Sequence, residues 1–104
     1  MRVEVTDNTA RERYEAIVDG ELAGFAQYQL RDGEITIYHT EVDPRYEGQG
    51  VGSQLVHMAL DDIADRGLEL VPLCPFVAAY VRRHADEYLD LVPARMREKV
   101  HARS

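Results

Sequence analysis

The chain has 104 residues, a length that suits one small domain and leaves little room for a second. Apolar residues make up 45%, charged residues 30%, and the formal net charge is −7, a balance that disfavours sequence-independent binding to DNA or RNA and favours a cationic substrate. No stretch is long and apolar enough to span a bilayer, and Met1-Arg2-Val3-Glu4-Val5 lacks the apolar core of a signal peptide, so a cytoplasmic protein with no membrane partner is expected.

In chain order, Val3 and Val5 alternate with polar neighbours and predict a first strand over about 2–6. Asp7-Asn8-Thr9 is a turn signal. A second strand covers 12–18, and Asp19-Gly20 marks a hairpin into a third over 22–30. Arg31-Asp32-Gly33 is another tight turn, followed by a fourth strand over 34–42. There strict alternation puts Ile35, Ile37 and His39 on one face and Thr36, Tyr38 and Thr40 on the other. Pro44 stops the ladder. Val51, Leu55, Met58-Ala59 and Ile63 then recur at helical spacing, predicting a helix over about 50–66 that ends at Gly67. Leu68-Glu69-Leu70-Val71 is a short fifth strand, closed by Pro72. Pro75 opens a second helix, with Phe76, Ala79-Tyr80 and Arg83 along one side. Tyr88, Leu89, Leu91 and Val92 form an apolar patch. One domain over 1–92 is thus expected, with a basic tail over 93–104 compatible with a helix or with fraying. The fourth and fifth strands, joined by a helix, suit a parallel pair.

The stretch Arg45-Tyr46-Glu47-Gly48-Gln49-Gly50-Val51-Gly52 lies between a strand end and a helix start. Alternate glycines let main chain approach a ligand closely, and a helix N-terminus offers unpaired N–H groups. The combination suits a diphosphate; the plain alternative is a tight loop before a helix. A Walker loop requires a lysine that this turn lacks. A Rossmann fingerprint requires a third glycine at a spacing not met here, although Glu69 lies near the position of a ribose-binding acid.

Arg45-x-x-Gly48-x-Gly50 resembles the R/Q-x-x-G-x-G/A signature of the GNAT superfamily of acyl-CoA-dependent N-acetyltransferases. Val42-Asp43-Pro44 before it and Val51-Gly52-Ser53-Gln54-Leu55 after it fit the same pattern. Tyr80-Val81-Arg82-Arg83-His84 resembles the family's Tyr-x-Lys-x-Gly-Phe run, with His84-Ala85 in place of Gly-Phe. Pro72-Leu73-Cys74-Pro75 is similar to the Pro-x-Cys-Pro-like segment of its small single-domain branch. The resemblance covers about residues 20–90. It implies an α+β fold with a mixed, mostly antiparallel sheet and helices packed on it, without the usual first helix pair. It further implies acetyl-CoA as the cofactor. Main-chain amides of Glu47, Gly48, Gln49, Gly50, Val51 and Gly52, with Ser53, would hold its diphosphate, and Val42 would pair with the pantetheine arm. Arg45, Arg82 or Arg83 would meet the remaining phosphate; for each, a solvated surface charge is the alternative.

Acetyl transfer to an amine needs a base, because an alkylammonium titrates near about 10.4. His39 and Glu41 share a face beside the turn, and either can take the proton directly or through water. A hydrogen-bonded sheet histidine and a solvated strand-end acid are the plain readings. The resemblance implies that Tyr80 protonates the leaving thiolate; core packing beside Phe76 is the alternative. Cys74 precedes a helix, a place that favours a thiolate and permits a covalent acetyl-cysteine. The favoured alternative is a small buried group beside the acyl pocket. A single cysteine excludes an internal disulfide. His57 and His84 fall on different predicted helices without zinc spacing, so no metal is expected.

The function expected is transfer of an acetyl group from acetyl-CoA to a primary amine in a ternary complex. The amine is a small molecule, a lysine side chain or a protein N-terminus. A non-catalytic CoA-binding sensor and a purely structural domain are the rival readings. The oligomeric state is not legible in the sequence.

Overall fold

The computed structural model describes residues 1–101. Five strands form one sheet in the order β1 (Glu4–Asn8), β2 (Arg13–Val18), β3 (Glu21–Arg31), β4 (Glu34–Val42) and β5 (Glu69–Pro72). The first four make an antiparallel meander, and β5 runs parallel to β4. Helix α1 (Val51–Asp65) makes the crossover, and α2 (Pro75–Arg83), α3 (Ala85–Tyr88) and α4 (Ala94–His101) follow β5. Two-residue turns close both hairpins. Asp19-Gly20 and Asp32-Gly33 all have positive φ, the backbone that matches strand twist in such turns. Between β1 and β2 there is only a single 3-10 turn, Thr9–Arg11, so the helix pair usual in the resembled family is missing.

Helix α1 lies across one face of the sheet and touches every strand. Its stripe of Val51, Leu55, Val56, Ala59, Leu60 and Ile63 is buried against Tyr14, Ala16, Val18, Ala26, Tyr28, Ile35 and Ile37. Each fully buried large side chain contributes about 1.5–3 kcal/mol. The far ends of the layers are tied by polar groups. Tyr14 donates to Asp62 at 2.7 Å and Tyr28 to Asp7 at 2.6 Å, while Arg66 donates to both carboxylates at 3.3 and 2.9 Å. Tyr88 of α3 donates to Asp61 at 2.8 Å and lies 2.8 Å from His57 Nδ1, which fastens α3 to α1.

The segment read as a tail forms α4, which packs on α2 and buries Val100; residues 102–104 lie outside the described range. Arg95 reaches back to Glu34 at 2.7 Å. No helix among the described residues is long and apolar enough to cross a membrane.

One expectation fails in a consequential way. His39 does not share a face with Ile35 and Ile37. Tyr28 pairs with Ile37 but Gln27 pairs with His39, so Tyr38 is an extra residue in β4. A bulge of this kind reverses the alternation beyond it. Thr40 and Val42 therefore join the helix-facing side, and His39 and Glu41 join Phe25 on the open side.

Candidate active site

Asp43 caps the turn that leaves β4. Its carboxylate accepts from the Arg45 amide at 2.9 Å, and Pro44 starts one 3-10 turn through Tyr46. Gly48 and Gly50 then take φ of +79° and +80° with open space where a Cβ would sit. These two glycines serve the backbone path. Gly52 is different. A Cβ there would lie 3.1 Å from the Phe76 ring and 3.4 Å from Val42 Cγ2.

The turn uses some of its own amides. Glu47 donates to the Pro44 carbonyl and Gln49 to the Tyr46 carbonyl, both at 3.3 Å. The first bond of α1 runs from Gln54 to Gly50 at 3.1 Å. The amides of Gly48, Gly50, Val51, Gly52 and Ser53 find no acceptor among the described residues. They border an open groove of about 260 Å³ whose other walls include Val42, Tyr46 and Phe76. Among the described residues no cationic side chain lines it, so its attraction for anions comes from these amides and from the α1 N-terminus.

Strand β5 leaves β4 early. Their pairing ends at Ile37 with Pro72, where the Ile37 carbonyl accepts from both Leu73 and Cys74 at 3.0 Å. β4 continues alone to Val42. The Asp43 amide donates to Ala23 at 2.7 Å, which sets the phase of the β3–β4 ladder. By alternation, the main-chain groups of Thr40 and Val42 then point into the gap left by β5. On the open face, His39 Nε2 lies 2.8 Å from Glu41 Oε2, and both side chains are about half exposed.

A crossover helix thus opens on free amides beside a strand with an unpaired main-chain edge. A family model described as GCN5-related N-acetyl-transferase matches residues 13–91. The chain belongs to the GCN5-related N-acetyltransferase family.

Its relatives are acetyltransferases. It is 39% identical over 70 residues to the mycothiol acetyltransferase of Clavibacter michiganensis subsp. michiganensis, covering 62% of this chain and 23% of that one. It is 36% identical over 50 residues to the ribosomal protein bS18-alanine N-acetyltransferase of Escherichia coli, covering 48% of this chain and 34% of that protein. The chain thus spans about a quarter to a third of the length of these relatives. The crystal structure of the corresponding Escherichia coli enzyme superposes with a TM-score of 0.53 at 32% identity, over 56% of this chain and 38% of the other. An NMR structure of a GCN5-like putative N-acetyltransferase from Staphylococcus aureus shares the fold more completely. Its TM-score is 0.61 at 24% identity, over 86% of this chain and 87% of that one.

The remaining sequence-selected residues are scattered. Cys74 is the N-cap of α2, buried, with its thiol 3.5 Å from the Thr40 hydroxyl across the gap. Tyr80 is buried against His84, with ring centroids 4.3 Å apart, and against Tyr88 at 6.0 Å; it does not line the glycine-turn groove. Burial, then the charge of Glu87, pushes its phenol up and keeps it protonated. Arg45 is held by Asp43 at 3.2 Å and Glu21 at 3.3 Å, with its guanidinium over Tyr46. That partnership keeps the Asp43 carboxyl below its ordinary range. Arg82 donates to the Val100 carbonyl at 3.2 Å, and Arg83 lies over Tyr80 at 6.0 Å. Neither borders the groove.

Phe76, Thr40 and Gly24 were not selected from sequence. The buried stripe of α2 is Val77, Tyr80 and Val81, which leaves Phe76 40% exposed at the groove rather than on the side of Tyr80. Its offset from that i, i+3, i+4 stripe was the available signal. Gly24 meets β4 so closely that a Cβ would lie 2.6 Å from the Glu41 carbonyl; a glycine inside a strand pattern is the signal for such an approach.

Proposed function

We propose that this domain transfers an acetyl group from acetyl-CoA to a primary amine by direct attack while both are bound. The observation that carries the reading is the set of five uncommitted amides, at Gly48 and at Gly50 through Ser53, beside the unpaired edge of β4. The fit is chemical. Amides at a helix N-terminus bind phosphate oxygens without a lysine, and bare glycines keep the approach clear. Val42 main-chain groups suit pairing with an extended amide-bearing arm as an added strand. Glu47 and Gln49 contribute backbone shape rather than free donors. Arg45 holds the turn through Asp43, and Arg82 holds α4.

Acetyl-CoA, when bound, supplies the activated acyl group as a thioester. The chain's residues do the rest. The Glu41–His39 pair takes the proton from the incoming ammonium, directly or through water. The C–N bond would form as the C–S bond breaks, and the nitrogen's second proton would pass to the departing sulfur through water or through the Tyr80 phenol, which gives one proton and takes up the other. Cys74, buried under Thr40, walls the acyl end of the gap. The relatives named above act on mycothiol and on a ribosomal protein, so small-molecule and protein amines both fall within the reading.

Thermal unfolding with CoA, acetyl-CoA and NAD tests the cofactor class. A ligand at a hundred times its Kd adds about 2.7 kcal/mol of stability. CoA and acetyl-CoA protect and NAD does not, and thiol release then requires an added amine. A specific observation favours a second reading. A 3-10 turn stands in place of the first helix pair, so no helix between β1 and β2 contributes a wall to the acceptor side. Protection by CoA with no thiol release across an amine panel selects a binding module instead.

A further inference from the structure

Val42 lines two grooves. One is bordered by the free amides. The other, of about 240 Å³, lies at the paired ends of β3 and β4, where Leu22, Ala23, Phe25 and Pro44 give it an apolar floor. Of its lining side chains only Glu41 and Asp43 carry polar atoms. Asp43 is committed to Arg45, through its side chain at 3.2 Å and its amide at 2.9 Å. Glu41 has His39 as its partner and is 60% exposed. The arginines beside the groove are committed, Arg45 to Asp43 at 3.2 Å and Glu21 at 3.3 Å, and Arg13, 4.5 Å from the Phe25 ring, to Glu15 at 2.8 Å.

We propose that this second groove takes the acceptor, and that the acceptor is a primary ammonium on an unbranched apolar stem. Such a group comes either as a free alkylamine or as a lysine side chain. The inference rests on the acetyl-transfer reading and narrows it. The ammonium meets the Glu41 carboxylate, which among the described residues is hydrogen-bonded to His39 and to no arginine, and the stem lies along Leu22 and Phe25. An α-amine beside a peptide carbonyl, or an amine on a sugar ring, brings polar atoms close to the nitrogen for which the groove has no side-chain partner. Each such atom that loses water unpaired weakens binding about tenfold or more. The acidic surroundings add to the discrimination. Glu21, Glu41 and Asp43 cluster at this end of the sheet, in a chain of net charge −7, so anionic acceptors are repelled. Gly24 lets β3 and β4 close up beneath the groove, since a Cβ there would lie 2.6 Å from the Glu41 carbonyl.

The test is thiol release from acetyl-CoA by the intact chain, with CoA protection measured alongside. The panel is ethylamine, butylamine and hexylamine, then Nα-acetyl-lysine amide and an N-terminally blocked lysine peptide, with alanine amide and glucosamine for comparison. We expect kcat/KM to rise about two- to fourfold per methylene along the alkyl series. Alanine amide and glucosamine fall at least tenfold below butylamine. The lysine peptide against butylamine separates the two sources. Leu22→Asn, at a 39% exposed position, flattens the chain-length series, and Leu22→Lys lowers kcat/KM for every cationic amine while CoA protection is unchanged. A flat wild-type series, or preference for alanine amide or glucosamine, overturns the acceptor inference and leaves acetyl transfer standing. Absence of CoA protection, or protection without turnover by any amine, overturns both.

Discussion

Gly52→Ala separates the ligand-binding role of the glycine turn from its structural role. Gly52 is the second residue of α1 and has no positive φ, so alanine adopts its backbone without strain. In a helix, alanine is favoured over glycine by about 0.5–1 kcal/mol. Against that gain, the new methyl lies 3.1 Å from the end of the Phe76 ring, a side chain 40% exposed and free to shift by a few tenths of an ångström. The two effects nearly cancel, and stability stays within about 1 kcal/mol of wild type. The ligand has no such compensation. The methyl stands between Val42 and Phe76, on the inner wall of the groove and next to a free amide. Losing one hydrogen bond to a charged oxygen costs about 1.5–3 kcal/mol, which is roughly a tenfold to hundredfold loss of CoA affinity.

Gly50→Ala gives the opposite pattern in stability. Its φ is +80° and no protein atom lies within 4 Å of the added Cβ. The left-handed backbone costs an L residue about 1–2 kcal/mol, a loss that Gly52→Ala does not carry. Thermal unfolding of the free proteins and calorimetric titration with CoA measure both quantities. Gly52→Ala with wild-type CoA affinity, or with a stability loss larger than that of Gly50→Ala, refutes the assignment of the groove to the diphosphate.

Glu41→Gln lowers kcat by about 10²- to 10⁴-fold with CoA affinity unchanged, and an unaltered kcat removes this carboxylate from proton transfer. Cys74→Ala keeps activity within a few-fold; loss of turnover with intact CoA binding restores the covalent route. The third concerns alkaline pH. Burial, reinforced by hydrogen bonds to Asp62, Asp7 and Asp61, pushes the phenols of Tyr14, Tyr28 and Tyr88 well up. Their folded values exceed the unfolded value of 10.0, so their contribution is complete below pH 10 and is lost as pH rises beyond it. The slope is up to about 1.4 kcal/mol per pH unit for each tyrosine. Urea unfolding at pH 9 to 11 shows this decline, Tyr14→Phe makes it shallower, and equal slopes for the two proteins contradict it.

Local rules made most of the fold legible. Asp19-Gly20 and Asp32-Gly33 could only be hairpin turns, and the change from period two to helical spacing after Pro44 marked the crossover. The glycine turn was legible for the same reason, since its residue types answer to backbone geometry. Other features depend on partners far along the chain. Nothing near Arg45 says that it reaches Glu21, and nothing near Arg82 says that α4 returns to place Val100 under its guanidinium. A surface arginine carries no local mark of its partner, whereas a positive-φ glycine does. Tyr80 illustrates the converse. Its spacing from Phe76 suggested a shared face, but Tyr88 and His84 draw it into the core while Phe76 turns to the groove.

The bulge at Tyr38 had no signal of its own, because tyrosine is an ordinary strand residue. Yet it decides how the site is divided. In an unbroken β4, Ile35 and Ile37 would fix His39 and Glu41 on the helix-facing side, and Thr40 and Val42 would face solvent. One extra residue reverses this: Val42 stands over Gly52 and Phe76, and Glu41 looks out beside Phe25. Neighbouring residues of one strand thereby present side chains to opposite faces, and on the proposed reading Val42 borders the diphosphate while Glu41 meets the acceptor. Between those faces lies the gap that opens where β5 stops pairing at Ile37, one residue before the bulge. The bulge and the splay are therefore coupled: a strand still paired on both edges could not accept an extra residue without breaking two ladders, whereas here it breaks only one. The departure of β5 makes the bulge tolerable, and the bulge turns Glu41, the base of the proposed reaction, toward the open face.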